Sequence, residues 1–374
     1  MAIDYGYTAS SSNINIGPKF LRITDIATSN IIDWNSVPFC SISQEDNEKY
    51  KLYPGDIVIA RTGASTGATY TIKDTDPKDL VFASYLIRYR INPEIADAKL
   101  VGKFLRSKNW NEYVSGVVGG SAQPGANAKV LGAYSFLLPP LTEQRAIAAV
   151  LSSLDDKIDL LYRQNATLEA MAEALFRQWF IVEAKEEWEH GFLPDEFEFV
   201  MGQSPNGHSF NEIGMGTPMF QGNADFGFRF PSARIYTTEP TRVAQKFDTL
   251  ISVRAPVGAQ NMAQDRCCIG RGLAAFRYKN NSSFYSYAYF KLRYLLKEIL
   301  VYNDEGTVFG SISKNDFNKI EIIIPDYNSV SEFENMILSI NNKVISNCQQ
   351  INTLEKLRDT LLPKLMSGEV RVDF

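Results

Sequence analysis

The sequence has no run of about 18 apolar residues, the shortest that predicts a transmembrane helix. Its first ten residues, MAIDYGYTAS, lack the basic and apolar regions of a signal peptide. Cysteine is scarce: of the four, Cys267 and Cys268 are adjacent, and no C-x-x-C motif occurs. These absences predict a reduced, cytoplasmic protein without a membrane span or a zinc framework.

Signatures of catalysis are missing as well. Only two histidines occur, and there is no H-E-x-x-H motif, EF-hand loop or G-x-S-x-G motif. The glycine-rich stretch 62–69, TGASTGAT, lacks the lysine of a phosphate-binding loop. The tripeptide EAK at 183–185 matches half of a nuclease motif, but no aspartate-bearing strand accompanies it. The sequence therefore predicts a protein without catalytic residues and without a metal site.

A strong basic excess is also absent, because the net charge is −5. The acidic excess lies in residues 142–188 and 326–374, whereas residues 1–141 carry a net charge of +1 and residues 189–325 a net charge of 0. A neutral domain can still carry a basic face, but this charge balance does not support strong nonspecific DNA binding. If the protein holds DNA, we expect partners to contribute to the grip.

The clearest positive feature is an internal repeat. When the sequence is displaced by 186 residues, Pro139 falls on Pro325, and the strand-like run YSFLLP falls on IEIIIP. Upstream, YPGDIVIARTGASTG at 53–67 resembles KFDTLISVRAPVG at 246–258. Two copies of one unit predict two mixed α/β domains of about 140 residues, each followed by one long helix.

Both long helices carry polar and apolar residues at heptad spacing. The first is expected to begin at Thr142 and to run to about Phe180. The second is expected to begin with a capping box of Ser331 and Glu334, and to be distorted or ended by Pro363. The seam positions of the first helix are Ile147, Leu151, Leu154, Ile158, Leu161, Asn165, Leu168, Ala172, Leu175 and Trp179. The corresponding positions of the second are Phe333, Ile337, Ile340, Val344, Asn347, Ile351, Leu354, Arg358, Leu361 and Leu365.

A strict 3.5-residue period over more than four heptads favours pairing of the two helices as a coiled coil, rather than packing of each helix on its own domain. Two equivalent units usually pair about a twofold axis, here a pseudo-twofold, which makes the helix pair antiparallel. In that arrangement Asn165 faces Asn347, and the other layers are apolar except at Arg358, whose stem can pack while its head reaches water. Facing amides can fix a helix register, so we predict that role for the two asparagines.

Several motifs together resemble the specificity subunit of type I restriction–modification systems. They include GGSAQPGANAKVLGAYSFLLPPLTEQRAIAAVLSSLDDKID, FVMGQSP, QGNADFGFRFP, SVRAPVG, CCIGRGLAAF and LRDTLLPKLMSGEV, and the resemblance covers essentially the whole chain. It implies an α+β fold with two target-recognition domains, residues 1–141 and 183–325. Residues 142–182, and residues 326–374 with the C-terminal tail, would be the conserved spacer helices of an antiparallel coiled coil.

The resemblance implies a non-catalytic DNA-recognition subunit that reads a bipartite, asymmetric site in double-stranded DNA. It implies two modification subunits that bind S-adenosylmethionine and methylate adenine, and restriction subunits that join for cleavage. No cofactor is expected on this chain, whereas S-adenosylmethionine, ATP and Mg²⁺ are expected on the partner subunits. Two other interpretations stay open: a specificity subunit of a fused methylase–nuclease system, and a two-domain scaffold that does not bind DNA.

Candidate DNA contacts lie in loops that the repeat places in both units, since cations suit phosphates and amides or arginines suit base edges. They are Arg61, Thr62, Ser121, Gln123, Asn127 and Lys129 in the first unit, with Tyr7 as a further candidate, and Gln221, Asn223, Arg254, Arg271, Ser313, Lys314 and Asn315 in the second. The strongest candidates are those whose positions recur or nearly recur in both units: Arg61, Lys129, Arg254 and Lys314. Such loops can also be ordinary turns. Partner contacts are expected at three exposed helix residues: Glu143, Gln144 and Arg145.

The two copies differ at their start. Residues 183–198, EAKEEWEHGFLPDEFE, lead into the second unit, whereas Gly6 of the first unit already corresponds to Gly202 of the second. We predict that the C-terminal residues 367–374, SGEVRVDF, supply this lead-in to the first unit and close the chain into a ring.

Overall fold

The structure is a computed structural model that describes residues 2–27, 32–118, 125–304 and 310–372, with the backbone alone for 297–304. The chain divides into two compact units. Unit 1 comprises Met1–Asp159 and Thr353–Phe374, and unit 2 comprises Leu160–Asn352. Among the described residues, no helix combines the length and the apolar character that a membrane span requires.

Unit 1 is built around an antiparallel sheet in the order β1-β6-β3-β4, with β2 and β5 paired in parallel beside it. Its strands are β1 (Ala2–Tyr5), β2 (Lys19–Leu21), β3 (Ile57–Ala60), β4 (Thr69–Thr71), β5 (Leu80–Phe82) and β6 (Leu86–Arg90). Its helices are α1 (Ile23–Ile26), α2 (Gln44–Tyr50), α3 (Ala98–Phe104), α4 (Lys108–Val118) and α5 (Ala128–Leu131), followed by the start of α6 (Leu141–Arg177). The apolar run of β3 has no exposed residue, as expected for a strand covered on both faces.

Unit 2 has a second antiparallel sheet, β14-β13-β16-β8, a mixed sheet, β12-β15-β10-β11-β9, and the pair β17-β7. Its strands are β7 (Glu189–Phe192), β8 (Phe197–Met201), β9 (Phe210–Asn211), β10 (Thr217–Phe220), β11 (Ile235–Thr237), β12 (Val243–Ala244), β13 (Thr249–Ser252), β14 (Gln260–Met262), β15 (Cys267–Ile269), β16 (Leu273–Tyr278) and β17 (Glu321–Ile324). Its helices are α7 (Leu193–Glu196), α8 (Tyr285–Asp304) and α9 (Lys314–Phe317), and α10 (Tyr327–Ser367) begins in this unit. A π-helical turn, Gln178–Val182, follows α6.

The two units repeat one ion pair at the base of their central sheets. In unit 1, Arg90 on β6 donates to both carboxylate oxygens of Asp56, at 2.8 and 2.7 Å. In unit 2, Arg277 on β16 donates to both oxygens of Asp248, at 3.0 and 2.6 Å. Each carboxylate is buried beside the strand that follows it, so the repeat found in the sequence is accompanied by the same local structure in both units.

The long helices differ from the sequence-based expectation at their boundaries. Helix α6 begins at Leu141, one residue before the expected cap. Helix α10 begins at Tyr327, because the Asp326 carboxylate accepts from the backbone N–H of Ser329 at 2.9 Å. The predicted capping box of the second helix is therefore wrong. The helix also continues past Pro363 to Ser367, so this proline does not end it.

Glu334, the glutamate predicted for that capping box, instead caps helix α8. It is buried and accepts from the backbone N–H groups of Ser286 and Tyr287, at 3.2 and 2.9 Å. The first turn of a helix has unsatisfied donors and a positive end, both of which a carboxylate satisfies. Burial raises the pKa of Glu334 against the lowering effect of these hydrogen bonds.

Within unit 2, the segments of α6 and α10 run antiparallel against each other. The rings of Phe176 and Phe333 lie 5.9 Å apart, and further along the pair Asn347 Nδ2 donates to Asn165 Oδ1 at 2.9 Å. Both asparagines have no exposed surface. The two amides thus meet, as the antiparallel alignment of the repeat predicted, while their role in setting the register stays a prediction.

Within unit 1, the remaining segments of the two helices are also antiparallel. Ile147 and Leu151 share a buried cluster with Leu361 and Leu365. Arg358, expected to reach water, instead donates to Asp155 at 2.9 Å with 18% of its side chain exposed. Asp155 also binds Lys103 of α3. Burial raises the pKa of Asp155, but the two cations outweigh burial and hold it below its ordinary value.

A buried polar network in unit 2 connects a loop to both helices. Arg229, 1% exposed, follows β10 and donates to Glu169 on α6 at 3.2 Å and to Asn341 on α10 at 3.1 Å. Arg293 on α8 contacts the same glutamate at 2.5 Å. A buried cation is costly unless it is paired and hydrogen-bonded, so this loop is held against the helices.

Replacing Asp155 by asparagine is expected to lower the free energy of unfolding at pH 7 by about 3–5 kcal/mol, because Lys103 and Arg358 would keep buried charges without their carboxylate. The folded-state pKa of Asp155 is lowered, so its stabilisation is complete above about pH 4, the ordinary Asp pKa, and is lost as the pH falls through the folded-state value. Urea titrations at pH 7 and at pH 3 should show a smaller difference between variant and wild type at the lower pH. An equal difference at both would contradict the ion-pair assignment.

Candidate nucleic-acid interface

In unit 2, backbone pairing brings most of the candidate DNA-contacting residues together along one edge. Arg254 forms a β-bridge with Ser311. The backbone N–H of the preceding residue, Val253, donates to the carbonyl of Gly272 at 2.9 Å. Gly272 in turn donates to the carbonyl of Gln221 at 3.1 Å. We call this set, Gln221, Arg254, Arg271–Gly272 and Ser311, edge 2.

The side chains of edge 2 are available to a ligand. Arg254, Arg271 and the nearby Lys314 are exposed, and none has an ion-pair partner within the described part of the chain. The Gln221 amide donates to Ser204 Oγ at 2.7 Å, and the same hydroxyl accepts from the backbone N–H of Arg271 at 3.3 Å. Fixed amides beside unpaired guanidinium groups are the donor set that reads phosphates and base edges.

Unit 1 has the same edge at the corresponding positions. Thr62 forms a β-bridge with Gly125, and Ala126 donates to the carbonyl of Arg61 at 2.9 Å. The backbone N–H of Arg61 donates to Tyr85 at 3.1 Å, as Val253 does to Gly272 in unit 2. We call the set Arg61, Thr62, Tyr85 and Gly125 edge 1.

The structural equivalence corrects the alignment of two candidates. In the backbone pattern Arg61 corresponds to Val253, which is buried, and Thr62 corresponds to Arg254. The sequence comparison had placed the two arginines opposite each other because the runs before them differ by one residue in length. Edge 1 therefore presents a hydroxyl where edge 2 presents a guanidinium group.

Two tyrosines of unit 1, Tyr5 and Tyr85, lie beside Arg61 of edge 1, and sequence reasoning did not name them as candidates. The guanidinium of Arg61 lies over the ring of Tyr5, 5.0 Å from its centroid, and Arg61 Nε donates to the Ser84 carbonyl at 3.2 Å. The Tyr5 hydroxyl accepts from the backbone N–H of Ala128 at 3.0 Å. Tyr85, 59% exposed, flanks the same arginine. Tyr5 stands two residues from the named candidate Tyr7, but nothing in the sequence distinguishes their roles.

The polar candidates after each edge serve largely as helix caps. The Asn127 side chain accepts from Val130 N–H at 2.9 Å and starts α5, and the Ser313 hydroxyl accepts from Asp316 N–H at 3.4 Å and starts α9. The two caps correspond in the repeat. Lys129 and its counterpart Asn315 are exposed, as is Lys314, so these three remain available for contact.

The other candidates are less well placed. Tyr7 packs against Tyr50, with ring centroids 5.2 Å apart, beside a small buried cluster. Asn223 begins a 3₁₀ turn and is half-buried. Ser121 and Gln123 lie outside the described residues.

Matched glycines allow the chain to turn into each edge. A Cβ on Gly6 would overlap the carbonyl oxygen of Ala83, and one on Gly202 would overlap that of Gly270. The backbone N–H of Gly6 donates to the carbonyl of Leu86, the first residue of β6. The backbone N–H of Gly202 donates likewise to the carbonyl of Leu273, the first residue of β16. The predicted correspondence of Gly6 with Gly202 thus has a physical reason, since only glycine allows this close backbone approach.

One of the predicted partner contacts is wrong. Gln144 is 2% exposed. Its amide accepts from Asp97 N–H at 2.9 Å and donates to the carbonyls of Pro139 at 2.8 Å and Ile95 at 3.3 Å. It anchors the start of α6, where the preceding prolines leave carbonyls that need donors. Glu143 is half-buried and Arg145 is exposed, and their contact with a partner stays a prediction.

Within the described ranges, no group of three or more His, Cys, Asp or Glu side chains is arranged to hold a metal ion. Cys40 and Cys267 are buried, and burial raises the thiol pKa of Cys40 to about 11 and of Cys267 to about 12. Such thiols are protonated near neutral pH and are poor nucleophiles.

Comparison with known proteins identifies relatives over most of the chain. The sequence model of the family described as type I restriction modification DNA specificity domain matches residues 9–170 and again residues 185–356. The Methanocaldococcus jannaschii protein named type I restriction enzyme MjaX specificity subunit is 30% identical over 388 aligned positions, covering 98% of this chain and 90% of that protein. The HindI specificity subunit of Haemophilus influenzae is 22% identical, and the alignment covers 97% of this chain and 99% of that protein. The crystal structure of a type I restriction–modification S subunit from M. genitalium has the same fold, with a TM-score of 0.56, 16% identity, and coverage of 100% of this chain and 94% of that one.

Replacing Gly202 by alanine is expected to lower the free energy of unfolding by about 1–3 kcal/mol, because the added methyl group displaces the turn that carries Arg271. Gly222→Ala is the matched control, since a Cβ there meets no atom within 4 Å, and a change within about 0.5 kcal/mol is expected for it. Chemical denaturation of the two variants measures both. Equal losses would show that the close approach at Gly202 is not the constraint.

Proposed function

This chain belongs to the type I restriction modification DNA specificity family, and we propose that it reads a split DNA site, one half with edge 1 and the other half with edge 2. As a specificity subunit it is a DNA-recognition component and not itself catalytic. The modification and restriction subunits of such a system carry the chemistry, so the lack of catalytic motifs in the sequence agrees with this role.

The observation that supports two half-sites is one backbone edge built twice with different side chains. The bridges Thr62–Gly125 and Arg254–Ser311 hold corresponding loops together, but the side chains differ. Edge 1 offers Arg61, Thr62 and Tyr85, whereas edge 2 offers Arg254, Arg271 and Gln221. Base edges are distinguished by the pattern of donors and acceptors they meet, so different side chains on one frame should read unlike half-sites.

We propose that the two long helices set the distance between the half-sites as an antiparallel coiled coil about a pseudo-twofold axis. The antiparallel contacts within each unit and the Asn165–Asn347 hydrogen bond support this arrangement. The proposed segments are target-recognition domains at 1–141 and 183–325, with spacer helices at 142–182 and 326–374.

The proposed complex contains two modification subunits with S-adenosylmethionine and restriction subunits with ATP and Mg²⁺. The net charge of −5 supports a need for these partners, because phosphate contacts provide much of the affinity for DNA. Exposed residues near the start of α6, such as Arg145, are candidate contacts with a modification subunit.

Coexpression with the modification partner, followed by sequencing of adenine methylation across the host genome, is expected to yield one bipartite motif with unlike halves. Arg254→Ala with Arg271→Ala should relax the half read by edge 2 and leave the other half unchanged, because a base-contacting arginine typically provides about 1–3 kcal/mol. An active partner that methylates no motif would falsify the proposed function.

Arg266→Ala is the matched control for these arginines. Arg266 is exposed directly before β15, whereas Arg271 lies two residues after its end. DNA affinity of the assembled methyltransferase, measured at one salt concentration, should fall for the Arg254 and Arg271 variants and stay unchanged for Arg266→Ala. Equal losses in all three would indicate a general charge effect in place of recognition by edge 2.

Replacing Asn165 and Asn347 together by leucine is expected to keep or raise the free energy of unfolding while loosening the helix register, because two apolar side chains then replace a buried hydrogen bond. The measured quantity is the spacer length in the methylated motif, which should become variable. Asn165→Leu alone leaves one buried amide without its partner and should destabilise by about 1–3 kcal/mol. A double variant with an unchanged, single spacer length would show that the asparagines do not set the register.

A further inference from the structure

In unit 1, a tyrosine from a strand that does not pair with β3 holds the side chain of the arginine that follows β3. Tyr5 ends β1, and β6 lies between β1 and β3 in the sheet. The Arg61 guanidinium lies over the Tyr5 ring, 5.0 Å from its centroid, and Arg61 Nε donates to the Ser84 carbonyl at 3.2 Å. The ring and the carbonyl together restrict the direction in which the guanidinium points.

The two terminal nitrogens of Arg61 are left for a ligand. Within the described residues they form no ion pair and no hydrogen bond, and the side chain is half-buried. An arginine whose Nε is engaged still presents two terminal nitrogens side by side, a donor pair that suits guanine or a phosphate. A guanidinium that is already fixed in the free protein also loses less side-chain freedom when it binds DNA.

The Tyr5 ring is itself anchored at its far end. Although Tyr5 is 44% exposed, its hydroxyl accepts from the backbone N–H of Ala128 at 3.0 Å. Ala128 is the first residue of α5, whose N-cap is Asn127. The first turn of a helix has N–H groups without partners in the helix, so the hydroxyl satisfies one of them. The ring is thus fixed both by its strand and by its hydroxyl, and it provides a defined surface for the arginine.

Unit 2 has a different pair at the corresponding positions. Met201 ends β8 and precedes the matched glycine, as Tyr5 does at the end of β1. Met201 packs against the buried cluster that contains Val253, the counterpart of Arg61. Unit 2 presents its cation one residue later, at Arg254. The aromatic side chain therefore occurs in the unit that places an arginine where the other unit has a buried valine.

We propose that Tyr5 is a positioning residue for DNA recognition, a role that rests on the proposed function of edge 1. Its ring directs the terminal nitrogens of Arg61 toward the half-site that edge 1 reads. The contribution of Tyr5 to recognition passes through the arginine, so it should be lost when the arginine is absent.

The test uses the full chain assembled with its modification subunits, and the bipartite motif that this enzyme methylates. The motif, identified by sequencing of methylated adenine, is placed in a fluorescent DNA duplex, and affinity is followed by anisotropy at one salt concentration. A second duplex carries one changed base pair in the half assigned to edge 1. That half is the one that Arg254→Ala with Arg271→Ala leaves unchanged.

Tyr5→Met gives unit 1 the side chain that unit 2 has at this position, and it removes the aromatic ring. Affinity for the motif should fall about three- to tenfold, the range of a cation–π contact, and discrimination against the altered duplex should fall with it. Tyr5→Phe keeps the ring and should bind within about twofold of wild type. In an Arg61→Ala background, Tyr5→Met should add less than about twofold, because the group that Tyr5 positions is then absent.

Tyr53→Met is the matched control. Tyr53 is 43% exposed, and the Arg90 guanidinium lies 5.1 Å from its ring centroid. This pair stands at the other end of β6 from edge 1, where Arg90 binds Asp56. Both variants lose an exposed cation–π contact of similar geometry, but only Tyr5→Met should change DNA affinity.

Equal affinity and discrimination for Tyr5→Met and wild type would overturn the proposal. So would an equal loss with and without Arg61, an equal loss for Tyr53→Met, or a loss for Tyr5→Phe as large as that for Tyr5→Met. An active partner that methylates no motif would instead contradict the proposed function, and the role of Tyr5 with it. Thermal unfolding checks that each variant keeps its fold, and Tyr5→Leu replaces Tyr5→Met if that variant does not.

Discussion

A hydrogen bond between two fully buried amides, Asn165 and Asn347, joins the two long helices within unit 2. An amide that loses its partner in an apolar seam is left unsatisfied, so a shift by one heptad costs two buried polar groups at once. Apolar layers tolerate such a shift far better, because leucine packs against leucine in several registers. If the asparagines set the register as proposed, the residues that lower the apolar content of the seam are the ones that favour a single alignment.

The second constraint is that charge is buried where the helices meet the domains. In unit 1, Asp155 joins Arg358 of α10 to Lys103 of α3, and in unit 2 Arg229 joins a loop to Glu169 and Asn341. These groups stabilise the structure only when all of them are in place. Each domain is therefore held on its own helix segments by ion pairs and hydrogen bonds as well as by apolar packing. These polar contacts are directional, whereas apolar packing fixes the angle between a domain and its helices less specifically.

The repeat, the two long helices and the opposed asparagines were all predictable from spacing in the sequence, because heptad period and internal similarity survive low identity. The details that failed depend on competition between nearby groups. Glu334 looked like a capping residue for its own helix, but Asp326 caps that helix and Glu334 caps α8. Gln144 looked like a surface residue, but its amide donates to the carbonyls of Pro139 and Ile95 and is buried there. Arg61, Thr62, Arg254 and Arg271 do lie together on the two edges, while their contact with DNA stays a prediction. The one-residue offset between Arg61 and Arg254, and the contribution of Tyr5, required the backbone pairing itself.

The two edges separate what holds the loops from what the loops present. Backbone bridges fix the position of residues 62 and 254, and the Arg254 side chain is exposed. Substitutions at such positions cost little stability and so do not bring the chain below the threshold at which selection removes them. If the edges read DNA as proposed, new side chains can therefore be acquired on an edge one mutation at a time without loss of the fold.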